Sequence, residues 1–252
     1  MKIIKAREVT DYLKLLKGTS TFLLRGQPKH DDALLPSVAR GWTLPLNPLL
    51  SLEKTKLVEW QRRSLPHLDF RPHCKWEWLI LGQHHGMPTR LLDWTSNPLV
   101  ALYFACAPST HNGAVFTLGL PSGFEELDVE KDADPFGLKM PVYVAPAHIT
   151  PRLASQDGFF TATPDPLQPL DSSCDMKILI DRNDKQKLLR ELYDYGIRPS
   201  SLYPDIGGIA LDIAYTTRSM KSVMEKTLNS SEINVTNQTK AKHRKETPKT
   251  HE

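Results

Sequence analysis

Apolar positions in this chain fall into short blocks, and the densest lies at residues 74–107, CKWEWLILGQHHGMPTRLLDWTSNPLVALYFACA. There, Trp78, Leu79 and Leu81 predict a helix over 76–85, which Gly86 closes and Pro88 keeps from continuing. Residues 89–95 (TRLLDWT) then read as a short extended segment. Asn97 and Pro98 have the residue types of a helix cap and a first helical position. The helix they start, LVALYFACA, is apolar all round and is predicted to be buried. Two His, an Arg, an Asp and a Trp thus sit between two core helices, so this loop must be both polar and enclosed.

The flanking pattern is less dense. Helices are predicted at 9–17, 52–65, 185–195 and from Asp205 to about residue 213, and strands at 21–24, 113–118, 142–145 and 177–180. Residues 28–48 and 121–140 read as loops, and 146–166 as a linker. Strands and helices mix without regular βαβ alternation, so the predicted class is α+β, with a mixed or antiparallel sheet and packed helices. The boundaries predict one folded unit over 1–215 and a disordered basic tail over 216–252.

Composition changes this picture in two places. The formal net charge of +3 belongs to the tail, which carries eight Lys and Arg against four Glu; without that excess the body is near −1. A nucleic-acid-binding domain therefore does not follow from charge. The tail is poor in aromatic residues and is expected not to order itself. It reads either as a solvated extension or as a source of nonspecific attraction to nucleic acid or an anionic surface. There is no membrane-spanning run, and the first sixteen residues are too charged for a secretory signal. Three cysteines with no C-x-x-C spacing predict reduced thiols and a cytoplasmic protein. The N-x-[ST] matches at Asn229, Asn234 and Asn237 then carry no meaning.

Several residues are candidates for chemistry. Arg25 follows a strand pattern and precedes Gly26, whose missing side chain allows close approach. Such an Arg suits two-pronged binding of phosphate or carboxylate, or a structural ion pair at a turn. His84 and His85 follow a core helix; a metal there would need further ligands from His73, Cys74 or Asp93, in no zinc spacing, so no metal is expected. Arg90 and Asp93 are three apart in an extended segment and point to opposite faces, so each needs its own partner. Trp94 reads as core or as a stacking platform. Asp205 reads as a first-turn helix acid or a site carboxylate. Cys106, mid-helix among apolar residues, reads as inert packing.

The blocks FLLRGQ, LLPSVAR, QHHGMPTRLLDWTSNPLVALYFA, RLASQDGFF and LYPDIGG together resemble the FRG domain family, over about residues 20–213. That family is named for an aromatic-Arg-Gly motif; here the slot holds Leu24-Arg25-Gly26, with Phe22 two places earlier. The chain also resembles NAD-dependent ADP-ribosyltransferases. They carry an aromatic-Arg-Gly on their first strand and later a Ser/Thr-rich strand followed by N-P-x-x-A-x-x-F-A. Asp93-Trp94-Thr95-Ser96-Asn97-Pro98 with Phe104-Ala105 matches the second element.

This resemblance implies an ADP-ribosyltransferase-like fold, NAD as substrate and a macromolecular target, in the role of a toxin or defence effector. It implies that Arg25, with Gly26 and Gln27, binds the NAD phosphate and ribose, and that Thr95 and Ser96 brace the site. His84, His85, Arg90 and Trp94 would line it, Gln156 would supply a glutamine role, and Arg25, His85 and Asp205 would be catalytic. The enzymes use a Q-x-E or E-x-E glutamate to stabilise an oxocarbenium-like transition state. This chain lacks that pattern; Asp205, Glu191 or Glu125-Glu126 are the candidate substitutes. A non-catalytic FRG module binding a nucleotide, nucleic acid or peptide is the alternative, and metal-assisted hydrolysis at the two His a third reading.

Overall fold

In the computed structural model the described residues are 1–18, 21–119, 123–129, 134–146, 150–218, 220, 221 and 224. Eight strands form one mixed sheet: β1 (Lys2–Ala6), β2 (Thr21–Gln27), β3 (Leu92–Thr95), β4 (Gly113–Gly119), β5 (Glu125–Glu126), β6 (Val142–Val144), β7 (Gly158–Ala162) and β8 (Met176–Ile180). Their spatial order is β1-β8-β4-β2-β3-β7-β6-β5, with β1/β8 and β5/β6 parallel and the other pairs antiparallel. The helices are α1 (Val9–Leu16), α2 (Leu46–Ser64), α3 (Lys75–His84), α4 (Pro98–Ala105), α5 (Pro151–Ser155), α6 (Lys185–Asp194), α7 (Pro199–Leu202) and α8 (206–218). The α+β class with a mixed sheet and packed helices is what the element pattern predicts.

The sheet has a seam. β2 pairs with β4 along nearly its whole length, yet meets β3 at one position, Leu24 opposite Thr95. Beyond that rung the two strands part. On one side, Leu24, Val115 and Ile178 pack with α1, α4 and α6; on the other, Val142, Val144 and Phe160 pack with α2 and α3. A third cluster, with Leu23, Leu92, Trp94 and Phe116, packs across the back of the seam.

α4 lies directly against β2 and β4, and a glycine on each strand allows it. A Cβ on Gly26 would stand 1.9 Å from the Ala101 carbonyl oxygen, and one on Gly113 would stand 2.1 Å from that of Ala105. Both obstacles are helix backbone, which no side-chain rotation can clear. The helix begins where its sequence predicts: the Asn97 side-chain oxygen accepts from the backbone N–H of Leu99 (3.0 Å) and Val100 (3.4 Å).

Several elements differ from expectation. Residues 146–166 hold α5 and β7 rather than a bare linker, because a five-residue strand opening on Gly158 leaves too little alternation to detect. β1 is an edge strand, mostly exposed, so its sequence has no apolar period. α2 starts six residues earlier than predicted, at Leu46, right after Pro45. α8 runs past residue 215 through 218, with 220, 221 and 224 also helical; the remainder of the expected tail lies outside the described residues. No helix among the described residues is long and apolar enough to cross a membrane.

Candidate active site

Arg25 is placed by the seam. Being on β2 one residue beyond the rung, its guanidinium enters the gap where β3 has turned away. Nη1 donates to the Asp93 backbone carbonyl at 2.7 Å and stands 3.6 Å from the Asp93 carboxylate, while Nε donates to the Gln27 side-chain oxygen at 3.3 Å. Gln27 is itself anchored, donating to the Asp32 carbonyl at 2.9 Å. Only 12% of the Arg25 side chain is exposed. Burial pushes its pKa down and nearby Arg40 adds to this, while Asp93 opposes both; an arginine starting above 12 stays charged.

Asp93 is the hub of this network. Its other carboxylate oxygen accepts from the Gln83 amide at 2.6 Å, and the Gln83 oxygen accepts from the Thr89 hydroxyl. Thr89 in turn is fixed by Ser37, whose hydroxyl accepts the Thr89 N–H at 3.0 Å. Asp93 nevertheless remains 60% exposed, so its face toward the hollow is open.

That hollow has a volume of about 260 Å³. Its polar lining comes from Arg25, His84, Asp93, Arg152 and Gln156, and its apolar walls from Ile80, Phe104, Leu153 and Phe160. Arg152, on α5, lies with its guanidinium 4.5 Å from the centre of the Tyr203 ring. Gln156 and Ser155 both donate to the Leu202 carbonyl at 3.0 Å, which ties α5 to α7. The Thr95 hydroxyl donates to the Gln156 carbonyl (2.7 Å) and accepts from the Asn97 N–H (3.0 Å). The turn before α4 is thereby stitched to the opposite wall. His84 is half-buried; burial lowers its pKa, Arg152 and His85 lower it further, and Asp205 partly offsets them, so the ring is neutral at neutral pH.

Arg25, Gly26, His84, Trp94, Thr95 and Gln156 thus border one hollow. The structure places the other predicted site residues differently. Gln27 holds Arg25 without bordering the hollow, and Ser96 is exposed, with its N–H donating to the Asp157 carbonyl. His85 opens onto a separate groove beside α2, its ring 6.1 Å from that of Trp60. Arg90 is fully buried: it is 2.9 Å from Glu53, donates to the Pro135 carbonyl and lies 5.0 Å from the Phe136 ring. Asp205 caps α8, accepting from the Gly208 N–H at 2.8 Å, and does not line the hollow. Trp94 keeps its indole in the core, with its N–H bonded to the Thr161 hydroxyl at 2.8 Å. Of the substitute carboxylates, Glu191 accepts from the Val9 N–H and Glu125-Glu126 lie on the outermost strand.

Two site residues were not foreseen. An aspartate on a short extended segment needs a partner, but nothing in the segment of Asp93 says that the partner is Arg25, 68 positions away. Arg152 lies in the stretch read as a linker. Among the described residues no three His, Cys, Asp or Glu side chains gather as a metal site. Cys106 and Cys174 are buried, and burial pushes both thiols up to about 12.

The α+β fold thus holds a cleft at the parting of two strands that is lined by two guanidiniums, one carboxylate and aromatic walls. The family model described as FRG domain matches residues 20–113, the part of the chain that supplies Arg25, His84 and Asp93. Comparison with curated proteins and with solved structures gives no match.

Proposed function

We propose that the cleft binds NAD and that the protein transfers ADP-ribose from it to a macromolecular acceptor. The observation that supports this reading is that two arginines, Arg25 and Arg152, share the hollow with a single carboxylate, Asp93. Guanidiniums suit the pyrophosphate, and the Ile80, Phe104, Leu153 and Phe160 walls suit a flat ring. At about 260 Å³ the hollow takes the nicotinamide riboside end, with the rest of the dinucleotide toward its mouth. In the transfer the C1′–N bond breaks with its electron pair leaving on nicotinamide. The acceptor's nucleophile bonds to C1′ and gives up its proton. In this assignment Asp93 offsets the positive charge that develops on the ribose, and neutral His84 takes the proton.

The test is incubation of the purified protein with NAD labelled in the adenylate half, together with protein and nucleic-acid acceptors. Nicotinamide release and label transfer are expected; Asp93→Asn should lose turnover by at least about a hundredfold while retaining binding. Saturable NAD binding without turnover would favour the second reading, a recognition module. Asp93 also lends that reading support, since Gln83 and Arg25 already engage both of its oxygens. Absence of both binding and turnover in a folded protein refutes the NAD assignment.

A further inference from the structure

Asp93 supplies the carboxylate of the cleft, and side chains behind it set the direction it faces. The Gln83 amide nitrogen stands 2.6 Å from one carboxylate oxygen, and the Gln83 side-chain oxygen accepts from the Thr89 hydroxyl. Charge decides this orientation of the amide: turned over, it would press its own oxygen against a carboxylate oxygen at 2.6 Å. The Thr89 hydroxyl agrees with it, since its oxygen accepts the Leu91 N–H at 3.1 Å and its hydrogen goes to Gln83. Thr89 is fully buried and held by its backbone as well. Its N–H donates to the Ser37 hydroxyl oxygen at 3.0 Å, and its carbonyl accepts from the Val38 N–H at 3.2 Å.

Local sequence brings these groups together. Gly86, left-handed at φ 87°, turns the chain after α3, and the Met87 N–H closes onto the Gly82 carbonyl at 2.8 Å. Thr89 therefore returns alongside Gln83. The LLPSVAR block, which the cleft itself leaves unused, supplies Ser37 and Val38 as the far anchor. The other Asp93 oxygen stands 3.6 Å from the Arg25 Nη1, beyond hydrogen-bond length, and the side chain is 60% exposed. One oxygen is thus tied, and the other is open to the cleft.

We propose that Ser37, Thr89 and Gln83 form a relay that ties one oxygen of Asp93 and presents the other to the bound ligand, with Gln83 as a positioning residue for the transfer. The catalytic half of this inference rests on the NAD-transfer reading; the geometric half does not. Freed from Gln83, the carboxylate turns onto Arg25 as a closed pair and presents neither oxygen. Displacing a reacting group by about 1 Å costs on the order of a hundredfold in rate, so the relay acts on turnover more than on binding. Gln83 also borders the hollow, and the competing role is direct contact with the ligand, which would act on binding instead.

The experiment has two arms. The first follows nicotinamide release from NAD by the full chain and by Gln83→Met, Thr89→Val and Thr89→Ser. Gln83→Met and Thr89→Val should each lower kcat at least about tenfold while KM moves less than about threefold. Thr89→Ser keeps the hydroxyl and should stay within about threefold of wild type. Gln83 is only partly buried, so Gln83→Met carries this arm even where Thr89→Val fails to fold. The second arm needs no activity. By NMR, the isotope-labelled side-chain amide of Gln83 should exchange with solvent at least about tenfold more slowly than that of the exposed Gln186. Asp93→Ala should abolish that difference. If the wild type releases no nicotinamide, the transfer reading fails and the second arm alone decides the relay. A Gln83 amide that exchanges as fast as that of Gln186 overturns the inference. So does a Gln83→Met enzyme whose KM rises while kcat holds, which assigns Gln83 to direct ligand contact.

Discussion

Replacing Arg90 by Met separates a ligand-binding role from a structural one. Arg90 is fully buried against Glu53, whose side chain is 3% exposed, with nitrogens at 2.9 and 3.3 Å from the two carboxylate oxygens. Met fills most of the same volume but leaves the carboxylate without its counter-ion, which costs about 3–5 kcal/mol. The Pro135 carbonyl also loses its donor, for about 1 kcal/mol more. For a fold of this size each kcal/mol moves the melting temperature by about 2–4 °C, so a fall of roughly 8–24 °C is expected. The double variant Glu53→Leu/Arg90→Met removes both charges and should recover most of this loss, so that a double-mutant cycle shows strong coupling between the two positions. Thermal and urea melts measure stability, and NAD titration of the folded fraction measures binding. Ligand affinity should stay within about twofold of wild type, a shift well below 1 kcal/mol. If Arg90→Met melts within 2 °C of wild type, or the double variant is no more stable than the single, the ion-pair argument is wrong. If affinity falls tenfold at unchanged stability, Arg90 is a ligand contact after all.

Two further outcomes follow from the site. Gly26→Ala should cost about 3 kcal/mol or more, read as a fall in the urea midpoint, because its methyl would overlap the Ala101 carbonyl and Ala105 N–H of α4; a silent substitution would mean that α4 is not seated there. His84 has a folded pKa below its usual 6.5, chiefly through burial. Above that value it is neutral in both folded and unfolded states and adds no pH dependence. As pH falls through 6.5 the unfolded chain takes up the proton more readily, and stability is lost until the folded pKa is passed. The wild-type melting temperature should therefore drop more than that of His84→Gln between pH 7.5 and 5, and equal drops would refute the assignment.

Much of the fold was readable because local chemistry and tertiary placement agree. Asn97-Pro98 favour a helix start, and an eight-residue helix with apolar residues on every side has only the core to go to. Gly26 beside Arg25 marked a close approach, and α4 is what approaches. The same local reasoning could not tell Arg90 from Arg25. Both adjoin a pair of leucines, and what separates them is Glu53 on α2 and the parting of β3 from β2, neither of which leaves a mark nearby in sequence. His84 and His85 show a similar limit: one helical residue, 100° of rotation, sends one ring into the cleft and the other into the α2 groove. Asp205 had the spacing of a cap and serves as one. The carboxylate that stands beside Arg25 is Asp93, on the neighbouring strand.

The single rung between Leu24 and Thr95 has a mechanical consequence. Each half of the sheet carries its own helices and its own packed interior, and the halves are joined by the shared cluster behind the seam and by a few polar contacts such as Arg25 to Asp93. Arg25 belongs to one leaf and Arg152 to the other, so the proposed anionic ligand, held by both, would add a second clasp to the Arg25–Asp93 contact across the front. Occupancy and rigidity then rise together, and amide exchange along β2 and β3 should slow by a factor that grows with ligand concentration.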